Sequence, residues 1–314
     1  MNTNIQKRSS LTRFAWISIV AAILTITIKT IAYFLTNSVG LFSDALESCI
    51  NLAGAVMALA MLTIAARPAD DDHTYGHNKA EYFSSGVEGI LVFIAAIGIG
   101  IASVRRFIDP QPIDKLGIGI VISVLASLIN LVVSIVLFRA GKRYHSITLE
   151  ADAKHLMTDV WTSAGVLIGV GAVALTGWER LDPIVAFIVA GNIVRTGFLI
   201  VKDSVSGLMD KALPVESQDI IQRTLGPYKE SGIQFHAFLT RQAGSRQFVS
   251  FHVLVPGNWS VHEGHQLLEK IEADLRHVLP YVVVSTHLEP IEDPISYKDI
   301  DIDRPESMNI IKPS

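Results

Sequence analysis

Six long runs of hydrophobic residues dominate the first two thirds of the chain. They cover about residues 12–35, 39–66, 82–107, 116–139, 147–177 and 183–203. An α-helix needs roughly 20 apolar residues to cross the hydrocarbon core of a bilayer, and each run is at least that long. The breaks between the runs contain Gly, Pro or charged residues, which are typical of short turns. The pattern therefore predicts a bundle of six transmembrane helices within residues 1–209.

From residue 210 onward the pattern changes to one typical of a small folded domain outside the membrane. It predicts helices at Val215–Lys229 and Val261–Leu279 and strands at Ile233–Thr240, Gln247–Val255 and Tyr281–Leu288. The strand assignments depend on alternating polar and apolar residues, and the helices on 3.6-residue periodicity. An α-β-β-α-β order predicts an α+β, ferredoxin-like fold over residues 210–295, with the helices on one face of the sheet. Residues 296–314 are polar and are expected to form a loose tail.

The distribution of Lys and Arg predicts the orientation of the bundle. More of these residues fall on the side of both termini than on the opposite side, so the positive-inside rule puts both termini in the cytoplasm. The first run continues to Leu35 without a small-residue cleavage pattern, which favours a retained helix over a signal peptide. A formal net charge of −4 without any basic run argues against nucleic acid as a partner. The single cysteine, Cys49, excludes an internal disulfide.

Two of the predicted membrane helices carry polar side chains at metal-ligand spacing. His155 and Asp159 are four residues apart, as are Glu47 and Asn51, so each pair lies on one helix face. An imidazole and carboxylates can bind one divalent metal ion, and ionisable groups within a membrane span generally mark an ion pathway. The spacing predicts a four-ligand metal site made by two helices. The alternative is that Asn51 only packs, and that three residues and water hold the metal.

For other polar residues in the predicted spans the sequence leaves alternatives open. Asp44 and Asp152 lie three residues before Glu47 and His155, where they either feed the ion inward or fix the histidine tautomer. Carboxylates at helix ends in a water-filled vestibule would look the same. Lys29 is expected to snorkel or to form an ion pair, without a role in transport. The sequence assigns no role to Glu88.

Two further groups of residues are rich in potential ligands. In the loop after the second run, Asp70, His73 and His77 have spacings of three and four, which suit chelation by one loop; a solvated acidic loop is the alternative. The C-terminal domain contains His236, His252, His265, His287 and Glu289. His236 and His252 are on neighbouring predicted strands, and His287 and Glu289 share one strand face. Scattered surface histidines would be the alternative interpretation.

Four segments together make the chain resemble the cation diffusion facilitator family. They are SDALESCIN, RPADDDHTYGHNKAEYF, ADAKHLMTD and SGLMDKALP, and the resemblance extends over about residues 10–290. It implies a homodimeric antiporter of the bacterial inner membrane that exports divalent transition metals in exchange for protons. It also implies a transport site at Glu47, Asn51, His155 and Asp159, and a second metal site in the loop. In the cytoplasmic, metallochaperone-like domain it implies metals that bridge two protomers, and near the membrane surface a charge pair, Lys79 and Asp210, that locks the dimer.

The predicted transport site departs from the usual family pattern. Family members usually have His or Asp at the first position and Asp at the second, whereas this chain has Glu47 and Asn51. The resemblance puts zinc first among the expected cargoes, with manganese, iron, cobalt and cadmium as the others, whereas the more oxygen-rich site favours manganese, iron or cobalt over a dedicated zinc site. A metal-sensing scaffold with little transport and an uncoupled metal channel are the alternative functions. A membrane metalloenzyme is disfavoured because the chain has no HExxH motif.

Overall fold

The computed structural model describes residues 11–36, 39–109, 116–178, 180–279 and 281–298. The side chains of Asp44 and Glu47 lie outside this description, so their predicted roles stay predictions. The chain separates into two compact units, Met1–Met209 and Asp210–Ser314. They are called here the membrane unit and the C-terminal unit.

The membrane unit contains six long helices in its described part. They are α1 (Thr12–Thr36), α2 (Val39–Ala65), α3 (Ala80–Ile108), α4 (Leu116–Tyr144), α5 (Ile147–Thr176) and α6 (Leu181–Leu208). Among the described residues, four segments are long and apolar enough to cross a membrane: Thr12–Ile31, Ala80–Ile108, Val124–Tyr144 and Pro183–Leu208. The apolar part of α2, Asn51–Ala65, is shorter. The helices correspond closely to the six hydrophobic runs of the sequence.

The membrane unit exposes apolar side chains and buries polar ones. Phe34, Leu175 and Ile188 are 77%, 89% and 67% exposed, as expected of side chains that face lipid. Glu88 and Asp152, in contrast, are buried within the bundle. This distribution is the reverse of that in a water-soluble protein. Buried ionisable groups in a membrane span generally mark a functional site, so such a site is expected in the interior of the bundle.

Small residues and leucines hold the helices together. A Cβ atom on Gly197 of α6 would lie 3.0 Å from the backbone oxygen of Gly89 in α3, so these two helices approach backbone to backbone. Leu62 of α2, Leu137 of α4 and Leu156 of α5 are buried in one apolar cluster. This cluster fixes α2 and α5 side by side, with the polar faces that carry Asn51 and His155 brought together.

The C-terminal unit is a three-stranded sheet with two helices. Its elements are α7 (Val215–Glu230), β1 (Gln234–Ala243), β2 (Arg246–Val255), α8 (Val261–Val278), β3 (Val282–Pro290) and a short 3₁₀ helix (Pro294–Tyr297). The order β1-β2-β3 has β2 in the centre, antiparallel to β1 and parallel to β3. The predicted α+β order is therefore observed. The Tyr297 hydroxyl donates to the Ile291 carbonyl over 3.1 Å. Residues 299–314 lie outside the description, so the loose tail over residues 296–314 stays a prediction.

The two faces of this sheet differ in chemistry. Phe251 of β2 is fully buried and packs in one core with Leu225 of α7 and Ile271 of α8. Because side chains alternate along a strand, the neighbouring His252 points to the opposite face. The helices thus cover one face only, and the other face carries histidines.

Candidate metal centres

The interface of α2 and α5 brings together three of the four residues predicted for the transport site. His155 Nε2 lies 2.6 Å from Asn51 Oδ1, and the Asn51 amide nitrogen donates to Asp159 Oδ2. All three side chains are buried, with residue exposures of 3% for Asn51 and His155 and 8% for Asp159. One turn of helix separates the members of each predicted pair, which is why both α5 residues reach the same α2 amide. The amide therefore joins an imidazole and a carboxylate inside the bundle.

Asn130 of α4 is a member of this group that sequence reasoning missed. Its amide nitrogen donates to Asp159 Oδ2 over 3.2 Å, and the residue is 3% exposed. An amide within the apolar run 116–139 was the available signal, since polar groups in a membrane span are costly. Two amides from two helices therefore orient the carboxylate of Asp159. We define Asn51, Asn130, His155 and Asp159 as the buried polar group.

The donors of the buried polar group suit a transition-metal ion. It offers a carboxylate, an imidazole and amide oxygens from side chains that are buried in the bundle. Mixed nitrogen and oxygen ligands accept zinc and also the harder manganese, iron and cobalt ions. The Asn130 amide oxygen and His155 Nδ1 are buried without a hydrogen-bond partner among the described residues. Such unsatisfied atoms are unusual in a packed interior and support a ligand-binding role.

Three further acids are buried in the described part of the membrane unit, and they differ in their hydrogen-bond partners. Asp152, two turns before Asp159 on α5, is 1% exposed and is hydrogen-bonded by the side chain of Ser18. Glu81 of α3 accepts a hydrogen bond from the Ser146 hydroxyl. Glu88 of α3 is fully buried, and neither of its carboxylate oxygens has a hydrogen-bond partner in the described structure.

The prediction for Lys29 is corrected in part. The residue is only 8% exposed and lies within the bundle, so it does not snorkel to an interface. It does take part in an interaction, and the ion pair stays a prediction.

The predicted loop ligands lie together at one point. His77 Nε2 is 3.2 Å from one carboxylate oxygen of Asp70, and the backbone N–H of His73 donates to the other over 2.7 Å. The two imidazole rings have centroids 4.5 Å apart. The hydrogen bond from the His73 backbone lowers the pKa of Asp70, whose carboxylate therefore stays charged further into acid. One ligand atom from each residue lies within 4.8 Å of the others, which is close enough for chelation of one ion.

In the C-terminal unit, strand register aligns three histidines across the sheet. His236 of β1 pairs with His252 of β2, which pairs in turn with His287 of β3. Glu289 follows His287 by two residues and so points to the same face. Its Oε2 atom is 2.8 Å from His236 Nε2 and 3.3 Å from His252 Nδ1, while its Oε1 atom is 3.6 Å from His287 Nε2. We call these four residues the sheet cluster. His265 is exposed on α8, and the described contacts do not join it to the cluster.

The two residues of the predicted dimer charge pair have identifiable neighbours. Lys79 donates from Nζ to the Leu208 carbonyl over 3.2 Å, within the membrane unit. Asp210 accepts from Arg241 over 3.0 Å, within the C-terminal unit. These contacts leave the Lys79–Asp210 pair as a prediction.

Comparison with known families agrees with this architecture. The model of the cation efflux transmembrane domain matches residues 15–209, and that of the cytoplasmic domain of cation efflux proteins matches residues 213–291. The two matches define an integral membrane transporter. The chain belongs to the cation efflux family, also called the cation diffusion facilitators. The family resemblance inferred from the sequence, and the predicted membrane bundle with an α+β domain, are confirmed.

Individual relatives extend the comparison. The uncharacterized transporter sll1263 of Synechocystis sp. is 49% identical over 288 residues, which cover 92% of this chain and 93% of that protein. The cation-efflux pump FieF of Citrobacter koseri is 27% identical over 279 residues, or 88% of this chain and 92% of the pump. A solved structure of CzrB in its Zn form aligns with 26% of this chain and 93% of its own, at 32% identity and a TM-score of 0.25.

Proposed function

We propose that this protein exports divalent transition-metal cations from the cytoplasm in exchange for protons, by alternating access. The observation that carries the proposal is the contact of Asn51, His155 and Asp159 inside the membrane unit. Imidazole binds metal only when neutral, and a carboxylate only when ionised, so metal and protons compete for the same atoms. Exposure of the group first to one side of the membrane and then to the other converts this competition into antiport.

Glu47 is the proposed fourth ligand of the cargo. It precedes Asn51 by one helical turn and so lies on the same face of α2. Asn130 takes a supporting role, because its amide fixes the orientation of the Asp159 carboxylate. The contacts of Asn51 with both α5 ligands support its role as a ligand rather than as a packing amide.

We propose that two copies of the chain form a homodimer in the bacterial inner membrane, with both termini in the cytoplasm. The open face of the C-terminal sheet supports metal binding there, since the sheet cluster combines three imidazoles and a carboxylate. Metals held by this face, with His265 as a further ligand, would bridge the protomers and report a high cytoplasmic metal concentration. The Lys79–Asp210 pair would hold the dimer near the membrane surface.

Replacement of Asn51 by Asp is expected to change the selectivity of transport. The wild-type site is rich in oxygen donors, so we expect manganese, iron(II) or cobalt to be taken up in preference to zinc or cadmium. Asn51→Asp restores the usual family residue and should shift the preference toward zinc. The measurement is initial uptake of each metal by proteoliposomes that contain the full-length protein.

The same metal series separates the alternative functions. Equal preference for zinc in both proteins would contradict a selectivity role for Asn51 and leave it as a packing residue. Metal binding without uptake of any ion would replace the transporter by a sensing scaffold. Metal uptake that does not depend on a proton gradient would indicate an uncoupled channel instead of an antiporter.

Asp70→Asn is expected to weaken metal binding by the loop without loss of transport. The carboxylate contacts both loop histidines and stays ionised in mild acid, so it supplies the negative charge of this site. Binding of cobalt to full-length protein, followed by its visible absorption, should lose one component in the variant. Replacement of the neighbouring exposed Asp72 by Asn is the control; equal loss in both variants would indicate a general charge effect of the loop.

A further inference from the structure

Glu88 has the properties of a functional residue that the cargo site described so far does not include. It lies in the first third of α3, is fully buried, and has two carboxylate oxygens without a hydrogen-bond partner in the described structure. A buried ionisable group is costly unless it is paired or binds a cation. Glu81, two turns earlier on α3, shows the structural alternative, since Ser146 satisfies its carboxylate. The carboxylate of Glu88 has no such hydrogen-bond donor in the described structure, so its burial requires another explanation.

The position of Glu88 connects it to the buried polar group. Its carboxylate contacts α2 at Gly54, where an added Cβ atom would lie 2.9 Å from Oε1 and 3.1 Å from Oε2. Gly54 follows Asn51 by three residues, so the two positions are neighbours on one face of α2, with about 5–6 Å between their Cβ positions. The absence of a side chain at Gly54 leaves the space that the carboxylate of Glu88 occupies.

The α5 helix faces the same space with negative charge. Asp152 and Asp159 both lie close enough to interact electrostatically with Glu88. Carboxylates that face one another in a dry interior repel, and a divalent cation between them removes this repulsion. Asp159 accepts a hydrogen bond from Asn51, and Glu88 lies against Gly54, one turn from Asn51, so these two acids of α5 and α3 both lie beside Asn51, where the cargo is proposed to bind.

Charge balance gives this arrangement a specific meaning. The proposed ligands Glu47 and Asp159 carry negative charge, whereas Asn51 is neutral at a position where related chains usually have aspartate. We propose that Glu88 is a further cargo-binding residue, which supplies from α3 the carboxylate that Asn51 lacks. This inference rests on the proposed transport function and extends its site to a third helix.

The test exchanges the charge between the two positions. Glu88→Gln should reduce metal uptake by full-length protein in proteoliposomes by at least about tenfold, since even residues that only support ligands cost 10–100-fold in affinity. The double variant Asn51→Asp/Glu88→Gln moves the carboxylate back to α2 and should recover uptake to within about threefold of wild type. Uptake by Glu88→Gln at the wild-type rate would overturn the inference, as would a double variant no better than Glu88→Gln.

Two more variants control for folding. Glu81→Gln removes an equally buried charge from the same helix but keeps an acceptor oxygen for Ser146, so its uptake should equal that of wild type. Gly54→Ala keeps Glu88 and displaces its flexible carboxylate end; it should raise the KM for metal more than it lowers kcat. An unchanged KM in Gly54→Ala would contradict the inference even if Glu88→Gln failed to fold.

Asp159→Ala separates this inference from the proposed function. If Asp159→Ala is inactive and Glu88→Gln is fully active, only the role of Glu88 is wrong. If Asp159→Ala also transports normally, the cargo site itself is wrong.

Discussion

Loss of the Asp159 carboxylate is expected to abolish metal uptake in proteoliposomes. Asp159 is the one acid whose contacts with Asn51 and Asn130 are seen directly, and it accepts amide hydrogens from both. Asp159→Ala removes the charge that opposes the cation and leaves both amides without their acceptor. We expect uptake to fall by at least about a hundredfold, the upper end of the range for losses around metal sites.

Folding and charge must be controlled in this experiment. Two unsatisfied buried amides cost about 1–3 kcal/mol each, which a long-helix bundle can tolerate, so the variant should elute from size exclusion like wild type. Asp109→Ala removes an exposed acid just after α3 and should transport normally. Uptake by Asp159→Ala comparable with that of Asp109→Ala would contradict the assignment of the cargo site.

Glu289→Gln should abolish the stabilisation of the C-terminal unit by metal. The Glu289 side chain is 7% exposed and contacts three histidines, so it is the carboxylate that joins the sheet cluster. A metal at 100 times its Kd stabilises the folded state by about 2.7 kcal/mol, and the variant should lose most of this gain. Thermal unfolding of the full-length protein in detergent, with and without zinc, measures the difference.

An exposed acid on α8 provides the matched control for this variant. Glu269→Gln changes the same functional group outside the sheet cluster and should keep the full effect of zinc on Tm. If Glu289→Gln is stabilised by zinc as strongly as Glu269→Gln, the cluster is not a metal site. In that case the aligned histidines would be surface residues, as the sequence also allowed.

The sequence predicted the helices well and some of their ends poorly, for a physical reason. Hydrophobic runs mark the part of a helix that lies in lipid, so the sequence pattern predicts that the fourth helix ends at residue 139. The α4 helix continues to Tyr144, because Arg139, Lys142 and Arg143 are good helix formers that simply extend beyond the apolar core. The α6 helix likewise ends later than predicted, at Leu208 rather than at residue 203.

The candidate sites were predictable where they depend on spacing within one element. Four-residue spacing on a helix sufficed to suggest that His155 and Asp159 act together. Contacts between elements depend on packing and register, which periodicity does not report. Thus Asn130 was missed, although it contacts Asp159, and the alignment of His236 with His252 and His287 required the observed strand pairing.

The role proposed for Glu88 likewise depends on a contact between helices that the sequence does not report. The sequence contained the buried acid but gave no sign of which helix it would face. Only the contact with Gly54, one turn from Asn51, brings it to the cargo site.

The proposed transporter exchanges metal for protons. Simultaneous recording of the metal flux and the proton flux tests this exchange directly. Proteoliposomes with wild-type protein, an internal pH indicator and external manganese or zinc would be followed during metal uptake. We expect protons to leave the proteoliposomes as metal enters, and an imposed proton gradient to drive accumulation of metal above equilibrium. Metal that only equilibrates, without a change of internal pH, would contradict the antiport mechanism.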